Sequence, residues 1–302
     1  MRWLPGLTVI WNLLLLAMIC PNLALALGPI PIDKDRANAL SSLVDRSVTV
    51  LTTSKPLRLI VVAKDIQRLF VVEHNGIKPE IVVQYICATG ENQGNKALRG
   101  DEKTPEGVYF ITKVYTDKKV TVFGRRAFHL DYPNFFDQEA KRGGDGIFIH
   151  GTNRNLRSNS TNGCVTLDNK DLDQLAKYLA RDQVPVIIVP RLDYTDKVTD
   201  TSPDTPIGPV KAFLLPNGVE RENVDFDTLY MIRSCGQAIA VSEFSNTDDG
   251  SKNNGARGYS RSYLRHTQAS GWVTAQWVWH PASRPLQTAR VSTPPSRRVI
   301  LY

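Results

Sequence analysis

Histidine and cysteine are scarce in this sequence, with five and four among 302 residues. The five histidines are scattered and show no ligand spacing, so a metal site has no support. Long apolar runs are also missing. A membrane span needs about 20 apolar residues, and the run from Val9 to Ile19 is shorter and broken by Asn12. With Arg2 before it and Ala24-Leu25-Ala26 after it, that run reads as a secretory signal, residues 1–26, removed on export. An uncleaved anchor is the alternative. Ile19 is too large to precede a lipoprotein cleavage at Cys20. Acidic residues are absent from residues 251–302, which hold Lys252, Arg257, Arg261, Arg265, Arg284, Arg290, Arg297 and Arg298. No internal repeat is present.

Each absence narrows the reading. Export leaves Cys87, Cys164 and Cys235. An odd count in an oxidising compartment keeps at least one thiol free. Cys87 and Cys235 either pair or stay buried and unpaired; Cys87 lies in an apolar strand run, which favours the second. The eight basic residues of the tail outweigh the whole chain's formal charge of +7, so the rest, Arg2 aside, is slightly acidic. Such a tail suits nucleic acid, a membrane surface or an acidic polymer, and export argues against nucleic acid. Hydrophobic content of 42% and charged content of 22% supply ample material for a core.

The chain divides by pattern. Residues 27–56 form an N-terminal segment in which Asp33 to Val44 reads as a short helix, with Ala37, Leu40 and Val44 on one face. From Leu57 the pattern is β: residues 57–63, 68–73, 80–88, 108–116 and 120–124 are rich in β-branched and aromatic residues between turn signals. Residues 88–107 are a long polar loop of the kind that is functional or mobile. After Cys164 the period changes. Leu172, Leu175, Ala176 and Leu179 predict an amphipathic helix with Asp168 as its N-cap. Residues 185–190 are a further strand. The expected fold is mainly β: a sandwich-like domain with one main helix over 57–190, a linker over 191–209, and a small basic β-rich domain over 210–302. In the last, 210–215, 229–244, 271–280 and 297–302 read as strand runs, and 245–258 as turn-rich.

One stretch carries chemistry. In GIFIHGTNRNLRSNSTNGCVTLDN an apolar run ends in His150, a polar loop follows, and Cys164 opens a second apolar run. Strand, loop and strand bring an imidazole and a thiol to one end of a sheet. A thiolate is the better nucleophile, and an imidazole takes its proton. The bland alternative is a strand-end histidine beside an inert buried cysteine. Three motifs argue against it. His150-Gly151-Thr152, a loop, and Ser160-x-x-Gly163-Cys164-Val165, together with GDEKTPEGVYFIT (100–112) and FGRRAFHLDYPN (123–134), resemble the YkuD-type L,D-transpeptidases, and within them the YafK-like branch of Gram-negative bacteria. The likeness spans residues 57–190.

The resemblance implies a fold and a reaction. The fold is the family's β-sandwich. Cys164 attacks a peptidoglycan stem peptide, His150 is the base, and the carbonyl of Gly151 orients it. A thioester forms, and an amine from another stem resolves it; no metal or other cofactor is implied. The alternatives are hydrolysis of the same acyl-enzyme, as an L,D-carboxypeptidase or a lipoprotein-releasing enzyme, and an inactive peptidoglycan-binding module. Gly163 allows close backbone approach, and its amide with that of Cys164 is expected to face an oxyanion. Asn162 stands where the best-known members carry a second histidine, and an amide donates but does not titrate. Thr152, Ser160, Thr166 and Arg126 complete the expected oxyanion or substrate contacts. Lys96, Arg99, Lys103 and Arg125 are further candidates for stem carboxylates, against a reading as solvated cations. TPEG (104–107) reads as a type I turn that frames the cleft. Trp272, Trp277, Trp279 and Tyr263 read either as a sugar-stacking platform or as the core of a small β domain. The implied location is the periplasm or cell envelope, and residues 251–302 are the candidate contact with an anionic polymer or glycan there.

Overall fold

The computed structural model describes residues 31–116, 123–179, 183–195, 224–246, 257–267, 271–281, 287–291 and 299–301. The expected signal (1–26), most of the expected linker, the run 210–215 and residues 247–256 lie outside them.

Helix α1 (Lys34–Ser47) starts where Asp33 accepts a hydrogen bond from Arg36 N at 2.9 Å, a side-chain cap that satisfies one orphan amide of the first turn. It buries Leu40, Leu43 and Val44. Strand β1 (Val48–Thr53) follows directly.

The first sheet has eight strands in the order β4-β3-β2-β9-β5-β6-β7-β8. These are β2 (Leu57–Ala63), β3 (Arg68–His74), β4 (Pro79–Ile86), β5 (Gly107–Tyr115), β6 (Ala127–Leu130), β7 (Phe148–Thr152), β8 (Val165–Asp168) and β9 (Pro185–Val189). The central strands are apolar without alternation because both faces are covered. Leu59, Val61 and Ala63 of β2 enter one core, and Ile60 and Val62 enter the other. The even-face core is closed by Ile149, Val165, Leu172 and Leu175. A short helix, α2 (Phe135–Glu139), is capped by Asn134.

Helix α3 (Asn169–Leu175) is shorter than its sequence pattern. Asp168 sits at the N-cap position but makes no side-chain cap hydrogen bond, and Ala176 and Leu179 pack against the core from beyond the helix end. Apolar spacing alone therefore overran the helix. Phe123 and Gly124, read as the end of a strand, lie in a bend and turn.

The second sheet has seven strands in the order β1-β10-β11-β12-β13-β14-β15, all antiparallel. Its later strands are β10 (Val224–Ser234), β11 (Gln237–Asn246), β12 (Arg257–Thr267), β13 (Gly271–Pro281), β14 (Gln287–Val291) and β15 (Val299–Leu301). The run 229–244 is not one strand. It folds back at Cys235 and Gly236, whose φ of 52° and 75° form the two-residue hairpin turn that matches strand twist. β1, from the N-terminal segment, pairs with β10, Val48 opposite Ile232.

The two sheets share a core. Leu59, Val61, Phe70, Val108, Phe110 and Ile187 meet Tyr230, Ile232, Ile239, Val241, Tyr263 and Val278. Polar clasps cross the same boundary. Gln237 Oε1 accepts from Val108 N at 2.9 Å and from Asn134 Nδ2 at 3.0 Å. Arg261 and Tyr263 both reach Asp131 at 3.1 Å. Arg261 is buried and its guanidinium lies 4.3 Å from the Phe110 ring centroid. It is therefore no part of a basic surface. Arg265 pairs with Glu139 and lies over Phe135. Tyr263 belongs to the shared core; the side chains of Trp272, Trp277 and Trp279 lie outside the described residues.

Candidate active site

β7 and β8 run parallel, with His150 opposite Thr166. Parallel neighbours need a crossover of about a dozen residues or more, which residues 153–164 supply. Cys164 stands one residue before β8, so it and Thr166 share a face with the strand period of two. That face is where His150 lies.

The imidazole is held at both nitrogens. Nδ1 sits 2.6 Å from the Gly151 carbonyl oxygen. A carbonyl only accepts, so Nδ1 carries the proton and Nε2 keeps the lone pair. Nε2 faces Thr166 Oγ1 at 3.2 Å, and that hydroxyl donates to it. Phe123 covers the ring edge-on at 4.7 Å between centroids. Burial pushes the His150 pKa below its ordinary 6.5, and the Gly151 carbonyl offsets part of that. Burial likewise raises the Cys164 thiol above its ordinary 9.0, while a backbone hydrogen bond with Phe148 and the charge of Lys96 pull it back. Both groups are neutral near pH 7, a thiol and a base in its accepting form.

The turn into Cys164 is fixed by hydroxyls. Thr161 Oγ1 accepts from Gly163 N at 3.1 Å and donates to Cys164 O at 2.7 Å. The Gly163 amide is therefore engaged and does not face an oxyanion, contrary to the sequence expectation. Gly163 itself is required: its φ is +121°, and a Cβ there would lie 2.6 Å from the Lys103 carbonyl oxygen. Ser160 donates to Arg157 O at 2.6 Å and closes a turn instead of lining the cleft. Asn162 is exposed. Thr152 Oγ1 accepts from Arg154 N at 3.0 Å.

The cations sort themselves. Lys96 is buried, and its ammonium bonds Asp101 at 2.7 Å and Leu98 O at 3.1 Å, so it is not available to a substrate carboxylate. Burial works against the Asp101 charge, but the Leu98 amide, the Lys96 ammonium and the Ala97 and Lys103 amides hold its pKa far below the usual range. Arg126 and Arg125 both turn to Asp173, at 3.0 and 3.7 Å. Arg99 pairs with Asp145. Of the five, only Lys103 has no ion pair among the described residues. Among those residues there is also no cluster of three metal-binding side chains. Cys87, Cys164 and Cys235 form no disulfide with one another, and burial lifts Cys87 to about 12.

Two amide side chains of the site had no local sequence signal. Asn169 opens α3, donates to Thr152 O at 2.9 Å and accepts from Arg125 N at 3.2 Å. A Cβ on Gly124 or Gly151 would meet its oxygen at 2.1 Å, so both glycines make room for it. Gln67, buried at a φ of 51°, accepts from Thr89 N and Asn159 N, each at 2.9 Å, and so ties the two loops around Cys164 together. Their partners lie far away in sequence, and only the fold assembles them.

Fold and motif define a class. Residues 57–188 match the YkuD family, the L,D-transpeptidase catalytic domain, a family of enzymes that act on peptidoglycan stem peptides. Two solved structures share the wider architecture. Bd1075 of Bdellovibrio bacteriovorus is 21% identical with a TM-score of 0.56, over 79% of this chain and 98% of that one. The helical cell shape determining protein Pgp2 of Campylobacter jejuni is 19% identical with a TM-score of 0.51, over 79% and 97%. At these identities the likeness is one of fold. No curated protein matches the chain.

Proposed function

We propose that this protein is an exported cysteine L,D-transpeptidase that acts on peptidoglycan stem tetrapeptides through a thioester. The observation that carries the reading is the His150 imidazole, its Nδ1–H fixed on the Gly151 carbonyl and its basic Nε2 on the strand face that continues from Cys164. Nε2 takes the thiol proton as Sγ attacks the carbonyl after the L-centre of the third residue. The tetrahedral adduct collapses, the C–N bond to D-Ala breaks, and His150 returns the proton to the leaving amine. An acceptor amine then attacks the thioester, gives its proton to His150, and leaves a 3-3 cross-link with the thiol restored. Lys103 is the candidate partner for a stem carboxylate. The YafK-like assignment within the family rests on motif resemblance.

Carbapenem treatment followed by intact mass should give one adduct, absent in Cys164→Ala and retained in Cys87→Ala and Cys235→Ala. An adduct that persists in Cys164→Ala rejects the nucleophile. On tetrapeptide muropeptides the same protein should form 3-3 dimers or exchange the terminal D-Ala. Tripeptide as sole product makes it a carboxypeptidase.

The location proposed is the periplasm or cell envelope, from the signal-like residues 1–26. The basic residues of 251–302, less Arg261 and Arg265, are proposed to contact an anionic envelope polymer. Screening over about 10 Å at 0.1 M salt makes such a contact salt-sensitive. Binding of the intact protein to purified sacculi should fall steeply along a salt series. Salt-independent binding would favour stacking of aromatic rings on sugars.

A further inference from the structure

Thr104 belongs to a motif of the family likeness and lies at the cleft, but its hydroxyl does more than close a turn. It is fully buried. Its Oγ1 accepts from Gly90 N at 2.8 Å and donates to Gly163 O at 2.9 Å. A carbonyl oxygen has no proton to give, so the hydroxyl's direction is fixed: donor toward Gly163, acceptor toward Gly90. The threonine is itself anchored, because its own carbonyl accepts from the Lys64 ammonium at 3.0 Å, and Lys64 is paired with Glu106 at 2.8 Å.

The consequence follows from peptide geometry. Gly163 C=O and Cys164 N–H belong to one planar trans unit, and the two bonds point in opposite directions. Holding the Gly163 oxygen toward Thr104 therefore turns the Cys164 N–H away from the loop. The neighbouring Gly163 N–H is already committed to Thr161. The Cys164 amide is then the backbone donor next to the thiol. Thr161 holds the flanking Gly163 N–H and Cys164 C=O, whereas Thr104 holds the Gly163 C=O of this peptide, whose glycine sits at a φ of +121°. We infer that Thr104 is a positioning residue: its hydroxyl sets the Gly163–Cys164 peptide so that the Cys164 N–H meets the oxyanion formed when Cys164 is acylated.

The inference rests on the acyl-enzyme reading above, and its test separates the two. Acylation by a carbapenem creates an oxyanion, whereas alkylation by iodoacetamide is a displacement at carbon and creates none. Both are followed at Cys164 by peptide mass mapping. A lost oxyanion donor costs about 10²- to 10³-fold, so Thr104→Val should slow acylation by about 100-fold while alkylation stays within a few-fold. Thr104→Ser, which keeps the hydroxyl, should acylate within about tenfold of wild type. If Thr104→Val does not fold, Thr104→Ala is read the same way, and the serine variant still decides: acylation more than about tenfold slower than wild type overturns the inference. An equal fall of acylation and alkylation means a merely structural threonine and also overturns it. A wild-type chain that alkylates at Cys164 but never acylates overturns the acyl-enzyme reading itself.

Discussion

A buried imidazole and a half-buried thiol both resist charge, and at this pair the resistance has opposite signs. His150 is harder to protonate than a free histidine, so its accepting form persists below pH 6.5. Cys164 is harder to ionise than a free cysteine, so a stable thiolate appears only above pH 9.0. The proton therefore moves during attack, not before it. Acylation by a carbapenem should be flat through neutral pH and decline on the acid side with an apparent pKa below 6.5. Iodoacetamide, which needs thiolate in advance, should react ever faster as pH climbs past 9. The two groups titrate as a pair, so these are properties of the pair. An alkylation plateau already reached at pH 7 would mean a preformed thiolate–imidazolium pair and would refute the neutral resting state. At this scale the sequence is readable where the working residues are chain neighbours or share a motif, as with His150, Gly151 and Cys164. It is silent about Asn169 and Gln67. An amide that ties together loops 17 to 92 positions away leaves no spacing to notice.

Elements were legible where burial imposed a pattern. Strands β2, β3 and β9 and the first five residues of β5 are covered on both faces, so they read as continuous apolar runs between turn residues. The errors fall where the pattern is ambiguous. Leu172 to Leu179 keeps helical spacing beyond the helix, because a core contact needs only the right side and not helical backbone. The run 229–244 hides its turn in Cys235-Gly236, where one glycine is the sole local signal. The loop 88–107 reads as functional or mobile from its length and polarity, and it is stitched to the site. Ala88 and Thr166 exchange backbone hydrogen bonds of 2.8 and 2.9 Å, Gly90 bridges to Thr161, and Asn92 bridges to Lys103. Inside it, Lys96 and Asp101 form a pair 2.7 Å apart with the lysine 2% exposed. Breaking such a pair from one side costs about 3–5 kcal/mol because it strands a buried charge. This long polar loop is therefore a wall of the cleft, and polar residues such as Lys96 are its interior.

The described residues from 31 on form two sheets that share a core, and this changes what the C-terminal part can be asked to do. Tyr230, Ile232, Ile239, Val241, Tyr263 and Val278 are buried against the strands that carry the YkuD motifs. Burying a side chain of this size is worth about 1.5–3 kcal/mol, so the six together contribute on the order of 10 kcal/mol. That equals the whole stability of an ordinary domain, about 5–15 kcal/mol. Gln237 adds a direct tie, since it bonds Val108 N and fills the space beside Gly107, where a Cβ would meet its amide at 2.4 Å. A chain ending near residue 208 would lose this face, and β1 would lose its partner β10. Such a truncation should be insoluble or melt far below the intact protein. The intact protein should unfold in a single transition, seen alike by far-ultraviolet circular dichroism and by protection of Cys87 from alkylation, since Cys87 lies in the core on the other side of the first sheet. A truncated chain that is soluble, folded and acylated at Cys164 at the wild-type rate would show the second sheet to be separable. Two distinct transitions in the intact protein would show the same. With a single transition, envelope binding by this region has to be tested by point substitution in the intact chain, because deletion would remove the catalytic fold with it.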